Sequence, residues 1–463
     1  MRLIPIYNWN KTRKIFHDKG LKLSNQPWFQ GALLLICVAV ALLLANLPLT
    51  RDLYHNILNT ELTIKCASPN NAIDVSFPRG MNVEKFINDI LMVIFFFTVG
   101  LEIKREVAYG ELSSPKKAIL PVIAAFGGVI CPALIYTIVN HGAPGASGWG
   151  IPTATDIAFA VCILSALGDR VPVAMKVFLT ALAIADDLIA ILVVALFYGG
   201  RINFTLILIA IGLIAIALIM RKFGEKRMFP YLFIALLIWI LFYYGGIHAT
   251  MSGVVMAFII PNKAKYDKAT VYSKLDSAYS SFRQYDNIES GMGFPSGPQR
   301  HFLREIKHTA DGSMNMSYTL ERALSPWVNF LIMPLFALAN AGVELNPSAL
   351  TAGGVGLGIM LGLILGKPLG ITLFSLICVK LKIGEKPQGT TWPMFFAVAC
   401  LGGIGFTMSI FVDTLSFSDQ APALMESLRA TGKIAVLAGS VCAAIIGSAF
   451  VCIVNAIQKR HNS

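Results

Sequence analysis

The sequence predicts a polytopic all-α integral membrane protein, and three observations carry that prediction. Hydrophobic residues make up 56% of the 463 positions and charged residues 14%, against ~45–50% and ~25% in soluble domains. The apolar residues gather in continuous runs long enough to cross a bilayer as helices, ~20 residues each. The short alternating strands of a β-barrel are absent from the pattern. Lysine and arginine fall in every second loop between the runs, as membrane insertion requires.

A hydropathy window resolves about twelve spans, at 28–45, 86–101, 118–139, 150–167, 173–198, 204–220, 231–244, 247–260, 327–343, 354–379, 394–411 and 434–453. The seventh and eighth are short and part at Gly245-Gly246. One set of loops carries Lys104, Arg105, Lys116 and Lys117, then Arg170, then Arg221, Lys222, Lys226 and Arg227, then the basic region 263–322, then Lys380, Lys382 and Lys386. The alternate loops near 140–148, Gly245 and 345–352 have no lysine or arginine. Positive charge stays inside, so both termini are expected in the cytoplasm, and an even number of spans agrees. The expected layout is a cytoplasmic segment 1–27, one transmembrane domain 28–456 and a cytoplasmic tail 457–463. The basic stretch with Lys11, Arg13, Lys14, Lys19 and Lys22 precedes the first run without a clear cleavage site, so that run reads as an uncleaved span.

The net charge of +12 is explained by loop placement, which argues against nucleic-acid binding. Seven cysteines lie in apolar runs and read as small core residues. Cys66 alone lies in a polar loop, and no metal-type spacing appears.

Two loops are long. The outward loop 51–85 contains two short β-patterned stretches, 62–66 and 73–77, around Ser68-Pro-Asn-Asn, and predicts a hairpin. The cytoplasmic loop 262–322 is polar, with Gly, Pro and Ser near 290–298, and reads as a solvated insertion.

Four constellations carry chemistry. Asp186 and Asp187 stand side by side in the fifth span. A charge near the bilayer centre costs ~2.5–3.5 kcal/mol on insertion scales, so intramembrane carboxylates mark function. Neighbouring helix residues point ~100° apart, so the two can face different surroundings. Pro152-Thr153-Ala-Thr155-Asp156 interrupts the fourth span, because proline lacks an N–H and threonine hydroxyls bond to backbone. Asp156 can neutralise the positive end of the resulting half-helix. Lys367, in Gly366-Lys-Pro368 of the tenth span, is costly at that depth unless paired, and Asp186, Asp187 and Asp156 are the available partners. Gly402-Gly-Ile-Gly405-Phe-Thr407-Met-Ser409 lets the eleventh span unwind, with Gly403, Gly405, Thr407 and Ser409 supporting the break. Paired interrupted spans point to a transporter site. The structural readings set against these are a proline kink, a fixed salt bridge and close helix packing. Glu102, Arg105, Glu106 and Glu321 line either a cation entrance or an ordinary interface. His248 opens the eighth span as a structural residue or a pH-sensitive one.

These residues together resemble the NhaA family of bacterial sodium/proton antiporters. The matching runs are Val99-Gly-Leu-Glu-Ile-Lys-Arg-Glu106, Ala154-Thr-Asp-Ile-Ala-Phe-Ala160, Ala181-Leu-Ala-Ile-Ala-Asp-Asp187, Gly246-Ile-His-Ala-Thr250, Pro334-Leu-Phe-Ala-Leu-Ala-Asn-Ala-Gly342, Gly366-Lys-Pro-Leu-Gly370 and Gly403-Ile-Gly-Phe-Thr-Met-Ser409. The resemblance implies inverted repeats built from the third to fifth and tenth to twelfth spans, a known feature of that family. It implies that the fourth and eleventh spans are broken helices crossing at mid-membrane. Asp187 is then the principal sodium ligand with Asp186 beside it, Lys367 pairs with Asp186 in the proton cycle, and Thr155 and Asp156 support the ion site. The implied function is electrogenic, pH-regulated extrusion of Na+, and of Li+, against inward H+ across a bacterial inner membrane. No cofactor is implied, and the outward loop resembles the hairpin that joins two subunits into a homodimer.

The sequence departs from the family pattern in two places. The cytoplasmic insertion is longer, and Arg322 and Ser325 stand where well-studied members carry histidines, which leaves the pH profile open. Three rival readings share the carboxylates: a proton-coupled carrier of organic solutes, a channel, and an intramembrane aspartyl protease. The protease reading lacks a Gly-x-Gly-Asp motif and has no place for Lys367.

Overall fold

The structure is a computed structural model that describes residues 27–62, 64–67, 74–77, 81–200, 202–225, 227–262, 264, 266–284, 297–344, 354–418 and 420–462. The N-terminal basic stretch, Lys226, the hairpin turn, the stretch 285–296 and the loop 345–353 lie outside the described residues.

Helices dominate. In chain order they are α1 (Pro27–Asn46), α2 (Arg51–Asn59), α3 (Val83–Tyr109), α4 (Pro115–Val139), α5 (Ile157–Ala166), α6 (Val173–Phe197), α7 (Phe204–Lys222) and α8 (Met228–Gly245). They continue with α9 (Met251–Ile259), α10 (Lys268–Gln284), α11 (Gly297–Ser313), α12 (Met316–Asn340), α13 (Gly354–Lys380), α14 (Trp392–Leu401), α15 (Phe406–Leu415) and α16 (Pro422–Asn462). Among the described residues, nine helices are individually long and apolar enough to span, and two bent pairs bring the number to eleven. The nine-residue α9 occupies the place of the predicted eighth span and is too short to cross a bilayer alone. Gly246, at φ +82°, ends α8 in the left-handed conformation that glycine adopts freely, which is where the sequence parts the two segments.

The predicted boundaries differ most at α12 and α16, which begin at Met316 and Pro422 rather than at 327 and 434. Their N-terminal parts carry charged residues, Glu321 and Arg322 in α12 and Glu426, Arg429 and Lys433 in α16, so a hydropathy window sees only the part that needs lipid. The outward loop forms the expected antiparallel pair, β1 (Ile64–Ala67) with β2 (Asp74–Phe77), Ile64 opposite Phe77. The described part of the cytoplasmic insertion is not irregular. It forms α10 and α11, which pack on each other, with Lys274 over the Tyr266 ring at 4.2 Å.

The chain divides into two compact units. One contains Met1–Phe95, Glu106–Arg201 and Trp327–Ser463; the other contains Phe96–Arg105 and Ile202–Pro326. The second unit has its own core, in which Leu101, Ala217, Tyr231, Ile238, Met256 and Ile260 are buried together. The first unit holds every residue of the two interruptions. Its third to fifth and tenth to twelfth spans both run long helix, bent pair, long helix. Within it α13 lies along α4 so closely that a Cβ on Gly127 would stand 2.3 Å from Gly370 O, and one on Gly370 would stand 2.1 Å from Gly127 O. Only glycine at both positions permits that approach. A further tie inside this unit is a reciprocal amide pair, Asn88 with Asn340, at 2.8 and 3.1 Å. Large apolar side chains on the outer helix faces, such as Leu134, Leu196 and Leu373, stay exposed, as a lipid-facing surface requires.

Candidate ion-binding site

Two chain breaks create the site. A 3₁₀ segment, Pro144–Thr153, leads into Ala154, Thr155 and Asp156 before α5 starts, and the two pieces bend by 44°. The eleventh span breaks between α14 and α15 at Gly402 to Gly405, with a bend of 51°. The extended stretches bond to each other: Asp156 N donates to Ile404 O at 2.7 Å, and the Thr155 hydroxyl donates to Gly402 O at 2.9 Å. Gly403 leaves no space there, since a Cβ would stand 2.3 Å from Leu363 O. In a membrane such backbone survives only where other protein groups satisfy it.

Asp156 serves both half-helices. It caps α5 by accepting from Phe159 N at 3.2 Å, and its other oxygen accepts from the backbone N–H of Thr407 at 3.0 Å and from the Thr407 hydroxyl. One carboxylate therefore meets the positive ends of α5 and α15, each worth roughly half an elementary charge.

Lys367 settles its own partner. It is fully buried, at 0% exposure. Its ammonium pairs with Asp186 Oδ2 and donates to the Thr155 hydroxyl. The turn that precedes it, Gly362–Gly366, is π-helical, a distortion that occurs often at functional sites. Asp187 is buried beside Asp186, at 3% exposure, and its charge also acts on Lys367. Asp186 Oδ1 has no hydrogen-bond donor among the described residues. The arrangement is an ion pair held over the crossing of two interrupted spans, with one carboxylate oxygen that accepts no hydrogen bond from the described residues.

The remaining sequence candidates divide. Arg105 pairs with Glu321 and approaches Glu102 at 3.7 Å, so three of the predicted entrance residues meet within the second unit. Glu106 instead accepts from Glu111 N at 3.2 Å. His248 accepts through its backbone carbonyl from Met251 N at 3.0 Å, at the start of α9. Ser409 lies in α15 and is buried, as Thr407 is. Sequence reasoning passed over Asp413, a buried carboxylate four residues beyond Ser409. The signal was present, because a carboxylate in an apolar span is costly wherever it stands.

Comparison with known proteins decides the family. Residues 22–451 match the family model described as Na+/H+ antiporter 1. The chain belongs to the NhaA family of sodium/proton antiporters. It is 40% identical over 423 residues to the Na(+)/H(+) antiporter NhaA of Helicobacter pylori, covering 91% of this chain and 92% of that one. It is 41% identical over 422 residues to the NhaA antiporter of Sulfurimonas denitrificans, covering 90% and 91%. The NhaA antiporter of Oleidesulfovibrio alaskensis is 41% identical over 393 residues, covering 84% and 85%. Four of the NhaA motifs read from the sequence, Ala154–Ala160, Ala181–Asp187, Gly366–Gly370 and Gly403–Ser409, thus sit on the broken helices and on the ion pair described above.

Proposed function

We propose that the protein exchanges sodium for protons through Asp187 and Asp186. The observation that carries the reading is the buried Lys367–Asp186 pair, bonded to Thr155 where the interrupted spans cross. A lysine and two carboxylates in one buried site leave a net negative charge that either a sodium ion or a proton can neutralise. Occupancy by one disfavours the other, because both answer the same charge. A proton that neutralises Asp186 also releases Lys367 from its partner, which couples the lysine to the cycle. Exchange is obligatory if the loaded and protonated forms switch access and the empty ionised form does not.

Sodium leaves the cell and protons enter, and Li+ follows the sodium path. More than one proton per sodium makes the cycle electrogenic, and Lys367 and the aspartates are the groups able to carry them. The protein acts in the bacterial inner membrane with both termini in the cytoplasm, in keeping with the loop charge bias. The two-stranded β1–β2 hairpin of the outward loop is the element through which a homodimer forms, by strand pairing along its edge. The Arg105, Glu102 and Glu321 cluster is the region proposed for cation entry and pH response.

Sodium-induced proton movement in proteoliposomes tests the reading, with native protein compared to Asp187→Asn. Proton flux that appears with sodium and vanishes in a folded variant supports antiport through this carboxylate. No sodium response at any neutral or alkaline pH, in folded native protein, sinks it in favour of a different proton-coupled carrier.

A further inference from the structure

Asp413 is an intramembrane carboxylate that the sodium site does not use. It lies in α15, at 0% exposure, and among the described residues neither of its oxygens accepts a hydrogen bond. The groups around it are engaged elsewhere. Arg429 of α16 gives its Nε and Nη2 protons to Ser416 O at 3.2 and 3.1 Å. The Tyr136 hydroxyl of α4 donates to Gly145 O at 2.7 Å, and the Tyr198 hydroxyl after α6 donates to Ser147 O at 3.0 Å. Arg429 and Lys433 act on Asp413 by charge, Asp413 in turn acts by charge on Tyr136 and Tyr198, and Glu84 acts on Arg429. The space is tight: a Cβ on Gly432 would stand 1.9 Å from Asp413 Oδ1.

A buried carboxylate without a donor is expensive while ionised and cheap once it holds a proton. Sodium fits the place poorly. A hard cation needs several oxygen ligands, and two positive side chains already stand near. A proton needs one oxygen. Asp413 is also one helical turn beyond Ser409, whose buried Oγ likewise has no partner, so the two share a face of α15. Thr407, bonded to Asp156, opens the same helix. Ser409 Oγ lies against Gly405 at the crossing, 2.1 Å from where a Cβ there would stand, so Ser409 and Asp413 place polar groups along one face of α15 from the crossing toward its far end.

We propose that Asp413 is a second proton-binding carboxylate, a relay between the crossing and the solvent beyond the end of α15. It takes a proton from hydronium, leaving water, and returns it to water or to the file toward Ser409. The proposal deepens the antiport reading and rests on it. Three variants, Asp413→Asn, Asp413→Glu and Lys433→Gln, are reconstituted with native protein, and sodium-driven proton flux is followed while pH is changed on each side separately. The Asn variant is expected to displace one limb of the pH profile by about tenfold in proton concentration or to abolish it. Glu restores the limb. Lys433→Gln moves it to alkaline pH, because a positive neighbour no longer opposes the proton. Infrared difference spectra between acid and alkaline pH give a readout free of transport: a protonated-carboxyl band lost in Asn and displaced in Glu. An unchanged limb together with an unchanged infrared band overturns the relay. If Asn does not yield folded protein, Glu and Lys433→Gln carry the same two readouts. Absent sodium-driven flux in native protein would refute antiport itself, while the infrared band still decides whether Asp413 takes the proton.

Discussion

Thr407 donates both its backbone N–H, at 3.0 Å, and its hydroxyl to Asp156 Oδ2. The residues are 251 positions apart, yet one carboxylate answers the positive ends of two half-helices. Asp156→Asn keeps the shape and removes the charge. Hydrogen bonds to charged groups contribute about 1.5–3 kcal/mol, so the variant should unfold at clearly lower temperature and lose sodium-driven flux. Thr407→Ala keeps the backbone donor and should lose less. Thermal unfolding in detergent ranks the two, and equal losses would contradict the shared-cap account.

Lys367 and Asp186 form a pair whose halves are safer together than apart. Breaking a buried ion pair from one side costs about 3–5 kcal/mol, because the other charge stays buried alone. Lys367→Met and Asp186→Asn should therefore each destabilise strongly, and the double variant that combines them should recover much of the loss. A double-mutant cycle on unfolding temperature measures the coupling. Additive effects would mean that the pair does not hold in solution.

The close approach of Gly127 to Gly370 can be tested by volume alone. Gly127→Ala puts a methyl 2.3 Å from Gly370 O, which forces α4 and α13 apart, and overpacking of this kind costs about 1–3 kcal/mol. Gly212→Ala, with nothing within 4 Å of the added Cβ, should stay within about 0.5 kcal/mol of native. Parallel melts of the two variants give the comparison.

Tyr54 of α2 offers a pH test outside the spans. Its hydroxyl donates to Leu338 O at 2.7 Å. Burial, with the Glu84 charge adding to it, pushes the phenol up from 10.0 to about 12. The folded value stands above the unfolded one, so the stabilisation from the neutral phenol is complete below pH 10.0 and is lost as pH rises through about 12. Tyr54→Phe should lower stability at neutral pH by about 0.5–1.5 kcal/mol and flatten this alkaline loss. Unfolding curves over that pH window show whether it does.

Much of the site could be read along the chain. Gly245-Gly246 and Pro152-Thr153 announce their breaks because glycine and proline act on the backbone where they stand. The carboxylates of the fifth span stand out because lipid makes any charge conspicuous. The insertion was harder. Its polar composition resembles a solvated linker, and the helices α10 and α11 emerge only because each gives the other a face to pack on. The entrance residues were read as one group, but Glu106 turns to Glu111 N while Arg105 pairs with Glu321. Adjacent helix positions point in different directions, and only the neighbouring elements decide what each one meets.

Local sequence was enough to establish the membrane class, the order of the spans and the residues too costly to bury without purpose, since hydrophobic length and backbone chemistry act over a few tens of residues. The residues alone left Asp186, Asp187 and Asp156 open as partners of Lys367 and the family resemblance pointed to Asp186; the contact itself belonged to the tertiary structure, as did the double cap at Asp156 and the isolation of Asp413. Each depends on how helices hundreds of residues apart rotate and approach, down to the contact of Gly127 with Gly370. No window along the chain contains that geometry.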